Sequence, residues 1–264
     1  MGYGKYYRGK QGLDCYLKIM EGNDLVSRRN IKDNNLARPI AEEALAICPE
    51  VPMAYLLMAS VHSADERLGS TRPPQESVEK GIEMVQKALA LDDTLAEAHS
   101  LLGFLYTQKR EYEKAVAEGE RAVALNPGDP TVLAYYARSL YFAGRTEEAI
   151  PLLQKAIRLN PVGIGSFYAY QTLGNAFQHT GRYEEAVSAY KKSIEHAPNN
   201  IWNHLMLAAT YSMMGREGEA RAEAAEVLRI NPKFSLDFWE KRSLIRDRSA
   251  KDKVLSGLRK AGLK

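Results

Sequence analysis

The chain has 264 residues, 45% of them hydrophobic and 26% charged, with a formal net charge of +3. That is an ordinary globular composition, which excludes disordered, collagen-like and polyelectrolyte chains. The longest apolar runs, such as Leu205 to Ala209, fall far short of the roughly 18–20 residues of a membrane span, and Met1 to Lys10 lacks the apolar core of a secretion signal. The expected location is the cytoplasm.

Residues 1–12 form an N-terminal flank, within a basic end that carries eight Lys/Arg against four Asp/Glu up to residue 38. Residues 233–264 carry ten against four, which leaves −7 for the acidic middle. Basic ends read first as solvated flanks. Cys15 and Cys48 form no CxxC pair and no multi-cysteine pattern, so both are expected as free, partly buried thiols, with no zinc site.

Residues 13–95 read as two helical hairpins, roughly Leu13 to Arg28 with Asn35 to Ile47, and Met53 to Ser60 with Val78 to Leu91. A polar loop holding Arg72, Pro73 and Pro74 divides the second pair. From residue 96 a period takes over. Pro127, Pro161, Pro198 and Pro232 are 34, 37 and 34 residues apart, and the same spacing recurs at Gly103, Ala137, Gly174 and Ala208 and at Ala115, Ala149, Ala186 and Ala220. One three-residue insertion, near Val162 to Ser166, explains the slip. Apolar residues at helical spacing flank Gly144, Gly181 and Gly215, so each unit is two helices joined by a tight turn with a left-handed glycine. Small residues of the Gly103 and Ala115 type let the two helices approach, and the terminal proline re-aims the chain into the next unit.

The run Tyr170-x2-Leu173-Gly174-x2-Phe177, then Ala186-x3-Tyr190 and Pro198, resembles the tetratricopeptide repeat (TPR) family. So does His99-x2-Leu102-Gly103-x2-Tyr106 with Ala115, Ala122 and Pro127, although Gly119 replaces the usual aromatic. The resemblance implies an all-α, right-handed superhelical solenoid of about six hairpins. Four regular repeats span 96–129, 130–163, 167–200 and 201–234, and 235–264 supplies capping helices in which Trp239 packs.

No HExxH, GxGxxG, P-loop or GxSxG motif is present, and the five histidines are scattered, so an enzyme is not expected, nor any catalytic residue, cofactor or metal. His99 and His204 stand where this family often has tryptophan, and each is expected to be packed. The family resemblance places a binding groove on the concave face, at first-helix positions that here hold Tyr135, Arg138, Tyr141, Tyr168, Gln171, Asn175, His179, Trp202, Met206 and Met213. Aromatic anchors among amides suit a protein or peptide ligand. The set departs from the Lys/Asn/Arg clamp of repeat domains that hold chaperone tails. The acidic body disfavours nucleic acid. The expected function is a non-enzymatic protein- or peptide-binding scaffold. The alternatives are a homo-oligomer, in which the C-terminal aromatics of one copy enter the groove of another, and a cytosolic peptide receptor. More narrowly, from about Tyr16 onward, and especially in Ala220 to Pro232 with Phe234 to Leu236 and in Leu258 to Leu263, the chain resembles the C-terminal repeat region of bacterial class III adenylate/guanylate cyclase-like proteins, which implies a regulatory or assembly module of a signalling protein.

Overall fold

The computed structural model describes residues 6, 7, 9–68, 73–163 and 166–264. Among these residues the regular structure is entirely helical, with fourteen α-helices in two compact units, 1–126 and 127–264.

The first unit runs α1 (Gly9–Ser27), α2 (Ile31–Ile47), α3 (Pro52–Leu68), α4 (Pro74–Leu91), α5 (Ala96–Gln108) and α6 (Tyr112–Leu125). These helices pair as α1/α2, α3/α4 and α5/α6, and each pair also packs on the next. Helix α3 is longer than the sequence suggested. It continues past Ser60 to Leu68, and Pro73 and Pro74 form the N-cap and first turn of α4. Proline suits that turn because the missing N–H would have no helical partner there. Arg72, also placed in the polar loop, lies outside the described residues. Ala37 and Ala41 of α2 pack against Leu57 and Val61 of α3, and Val78, Ile82 and Val85 of α4 pack against Leu102 and Leu105 of α5. Asp65 is buried on α3, where Arg38 pairs with it and Asn34 Nδ2 donates at 2.8 Å, so its charge is compensated across the α2/α3 seam.

The cysteines correct the expectation of free thiols: Cys15 and Cys48 form a disulfide. Cys15 lies in α1 and Cys48 caps α2, 33 residues later. In an antiparallel pair, the start of the first helix and the end of the second lie side by side. A spacing of about one repeat therefore brings the two sulfurs together within the small core of Ile19, Ala44, Val51 and Ala54. Gln11 Nε2 donates to Ile47 O at 2.7 Å beside the bridge.

The second unit runs α7 (Pro130–Phe142), α8 (Thr146–Leu159), α9 (Ser166–His179), α10 (Tyr183–His196), α11 (Ile201–Met213), α12 (Glu217–Ile230), α13 (Leu236–Arg242) and α14 (Arg248–Lys260). Gly144, Gly181 and Gly215 have φ of +89°, +77° and +75°, the left-handed conformation that ends each first helix. The arginine after each glycine reaches into the first turn of the next helix: Arg145 to Glu148, Arg182 to Glu185 and Arg216 to Glu219. These carboxyls are held below the usual range by their arginines. At the close approach of α9 and α10, Gly174 faces the fully buried ring of Tyr190, whose hydroxyl donates to Asn175 Oδ1 at 2.8 Å.

His99 and His204 are buried as expected and occupy the same place in their hairpins, 105 residues apart. His99 Nδ1 lies 2.6 Å from Glu118 and its Nε2 3.1 Å from Asp93 O. His204 repeats this with Glu223 at 2.6 Å and Pro198 O at 2.9 Å. Both ring nitrogens face acceptors, which suits imidazolium. Glu118 raises the pKa of His99, against burial and the nearby Arg121. For His204, burial pulls down, but Glu223, the Pro198 carbonyl and Glu226 together raise it. A raised folded-state pKa contributes stability that is complete below the unfolded value of about 6.5 and is lost as pH rises through the folded value. The melting temperature of the wild type is therefore expected to fall relative to that of Glu118→Gln/Glu223→Gln as pH climbs above about 6.5. A constant gap between the two melting curves across that range would show that the pairs do not titrate.

Candidate binding face

The first helices of the second unit's hairpins, α7, α9 and α11, contact one another in sequence. The ten residues expected to line a groove lie on these three helices. Along α7 and α9 they form an aromatic row. Tyr135 meets Tyr168 edge-on at 6.0 Å, and Tyr141 meets His179 at 6.3 Å. The Arg138 guanidinium stands over Phe142 at 4.8 Å and Tyr168 at 6.0 Å. This row is largely internal: Arg138, Tyr141 and Tyr168 are each only 9% exposed. Burial pushes the Tyr141 hydroxyl well above the ordinary tyrosine range, with Arg138 opposing, so it stays neutral.

The amides are committed to the seam between hairpins. Gln171 Nε2 donates to Asn203 Oδ1 at 2.9 Å, Asn203 Nδ2 to Ser193 Oγ at 2.9 Å, and Ser193 Oγ to Phe167 O at 2.9 Å. Seven residues on, Gln178 Nε2 donates to Thr210 Oγ1 at 2.7 Å and to Met206 O at 3.2 Å. All of these side chains are buried, as is Met206. Asn203 and Thr210 escaped notice as sequence because their partners sit on the neighbouring hairpin. Their signal was a polar residue at a core position of an otherwise apolar helix.

The remaining expected residues keep some exposure: Tyr135, Asn175, Trp202 and Met213 are half-buried and His179 is exposed. Trp202 sits 6.4 Å from Trp239 of α13, which is buried. Helix α14 packs along α11, where Gly257 lies against Ala209 and accepts a hydrogen bond from Ser212 Oγ at 2.8 Å. Its N-cap, Asp247, reaches within 3.7 Å of His179. The C-terminal helices thus border the face on one side, and α14 covers positions on α11 that the sequence pattern had left open.

Among the described residues, no cluster of His, Cys, Asp and Glu could hold a metal ion, and no helix is long and apolar enough to cross a membrane. What is present is a ladder of antiparallel hairpins with a partly exposed aromatic edge, the architecture of an all-α helical-repeat protein.

Three family profiles described as tetratricopeptide repeat match residues 96–129, 128–199 and 179–242. The chain belongs, over 96–242, to the tetratricopeptide repeat family, whose members serve as protein-interaction scaffolds. It is 31% identical over 140 residues to small glutamine-rich tetratricopeptide repeat-containing protein 2 of Mycosarcoma maydis, a match covering 52% of this chain and 39% of that protein. It is 28% identical over 146 residues to human superkiller complex protein 3, covering 54% of this chain and 9% of that protein. The chain therefore spans well under half the length of these relatives. Among solved structures it resembles the Cut9–Hcn1 hetero-tetramer of APC/C, with a TM-score of 0.65, 18% identity and coverage of 96% of this chain and 47% of that one. That likeness speaks for the fold.

Proposed function

We propose that this chain is a non-enzymatic scaffold that binds a protein segment or peptide on the exposed edge of α7, α9 and α11, with Tyr135, Asn175, His179, Trp202 and Met213 as the contact residues. The observation that carries this reading is the division of labour on that face. Arg138, Tyr141, Tyr168, Gln171 and Met206 are locked behind it by packing and hydrogen bonds, and so hold the outer aromatics rigid. Rigid aromatic anchors lose little conformational freedom on binding and carry a large share of interface energy. His179, beside Asp247, adds a polar contact at the C-terminal border. The narrower assignment to a cyclase-like signalling protein rests on the sequence likeness from about Tyr16 onward, strongest in 220–236 and 258–263, and the relatives named above add nothing to it.

The test is selection from a random short-peptide phage library on wild type, followed by direct titration of the selected peptides. Tyr135→Ala/Trp202→Ala is expected to weaken them at least about 30-fold, the loss of one hot-spot residue of roughly 2 kcal/mol, with helicity unchanged. Tyr135 is the better probe than Tyr168, because truncating a residue as buried as Tyr168 would disturb packing as well. Selected peptides that bind the double variant as tightly as wild type would move the site off this face.

A further inference from the structure

The charge of the second unit is concentrated at its end. Residues 127–232 carry ten Lys/Arg and ten Asp/Glu, so the repeats are neutral and the basic surplus of the unit lies wholly in 233–264. The two parts also use their charges differently. In the repeats Arg182, Lys192, Arg216, Arg221 and Arg229 each pair with a glutamate three or four residues away. On α14, the side chains of Arg248, Lys253, Arg259 and Lys260 are exposed and make no ion pair or hydrogen bond among the described residues. Helical spacing gathers them on the outward side, Arg248 and Arg259 on one line with Asp252, and Lys253 and Lys260 on the next. The apolar residues of the helix, Val254, Leu255 and Leu258, are buried on its other side.

We propose, resting on the reading of the aromatic edge as a peptide site, that this cationic face of α14 binds an acidic protein segment: the ligand held by the edge carries a run of Asp/Glu on its flank toward α14. The two surfaces are continuous. Asp247, which precedes Arg248, reaches within 3.7 Å of His179 on the edge, and its carboxylate is committed to capping α14, accepting from Ala250 N at 3.0 Å. From Arg248 to Lys260 the cations extend over about 18 Å, the span of about five or six extended residues. Nucleic acid would need a track of cations continuing along the repeats, where they are neutralised by their own carboxylates. A bilayer would need the apolar side of α14, which is buried against the protein. A short acidic stretch matches both the sign and the small extent of the patch.

Fluorescent hexaglutamate, titrated with the whole chain at about 50 mM salt, tests the surface by itself. Wild type is expected to bind it, and Lys253→Glu/Lys260→Glu to bind it at least about fivefold more weakly with unchanged helicity. Lys192→Glu/Arg221→Glu, which changes the net charge equally among paired cations, is expected to cost less than about twofold. Tyr135→Ala/Trp202→Ala is expected to leave hexaglutamate binding unchanged, so failure of the aromatic site and failure of the cationic surface are read separately. Peptides selected on wild type are expected to carry Asp/Glu at one end and to weaken on Lys253→Glu/Lys260→Glu as well. A wild type that ignores hexaglutamate, binding that is equal in wild type and Lys253→Glu/Lys260→Glu, or selected peptides without an acidic end would each overturn the proposal. Tighter binding of oligouridylate or of phosphatidylserine vesicles than of hexaglutamate, lost in the same charge variant, would overturn the protein occupant and assign the face to RNA or to a membrane.

Discussion

Cys15→Ser is expected to lower the stability of the first unit by roughly 3–5 kcal/mol, because the bridge closes a loop between the 15- and 100-residue cases of the chain-entropy relation. In a unit of this size that is a fall of roughly 10 °C or more in melting temperature. The loss has a structural focus. Helix α1 packs on α2 and, less extensively, on α3, and its far side, with Leu13, Tyr16, Leu17 and Met20 exposed, is covered only in part, by Tyr7 against Tyr16. Without the covalent tie, α1 is the element that frays first. Calorimetry of wild type, wild type with reductant and Cys15→Ser should show the same shift in the last two. A variant that melts with wild type would mean that the packing of Ile19, Ala44, Val51 and Ala54 alone holds the hairpin.

Gly174→Leu should destabilise the second unit by about 1–3 kcal/mol or more, the cost of overpacking a filled core. Even a Cβ at Gly174 would stand 2.6 Å from the Tyr190 ring. The ring cannot swing aside, since it is fully buried and its hydroxyl is tied to Asn175. The relief should come from the partner: in a Tyr190→Leu background the Gly174→Leu penalty should shrink, and the coupling measures the contact directly. Equal penalties in both backgrounds would show that the strain arises elsewhere.

The repeat architecture was legible because its constraints are local and recur. A glycine at three of the four turns, with Arg110 in the left-handed place at the other, small residues where two helices touch and a proline after each second helix leave marks that survive without knowledge of neighbours. The binding face was legible only as a set of positions. Tyr141 and Tyr168 look as available in sequence as Tyr135 and Trp202, because what distinguishes them is the neighbouring hairpin. The disulfide is hidden in sequence for a different reason. Cys15 and Cys48 match no metal or disulfide-rich spacing, and what pairs them is the hairpin register, which sets the start of a first helix beside the end of the second. The covering of α11 by α14 had no periodic signal, since the repeat stops at Pro232.

The chain Gln171, Asn203, Ser193 and the pair Gln178, Thr210 also bear on how freely the hairpins could be rearranged. Each amide finds its acceptor only on one particular neighbour, and a buried amide left unpaired costs about 1–3 kcal/mol. Shuffling the hairpin of α9 and α10 to another place in the series, or duplicating it, would preserve every apolar contact type and still strand these groups. The hairpins are therefore addressed rather than interchangeable, and their order along the chain is written in hydrogen bonds instead of in shape.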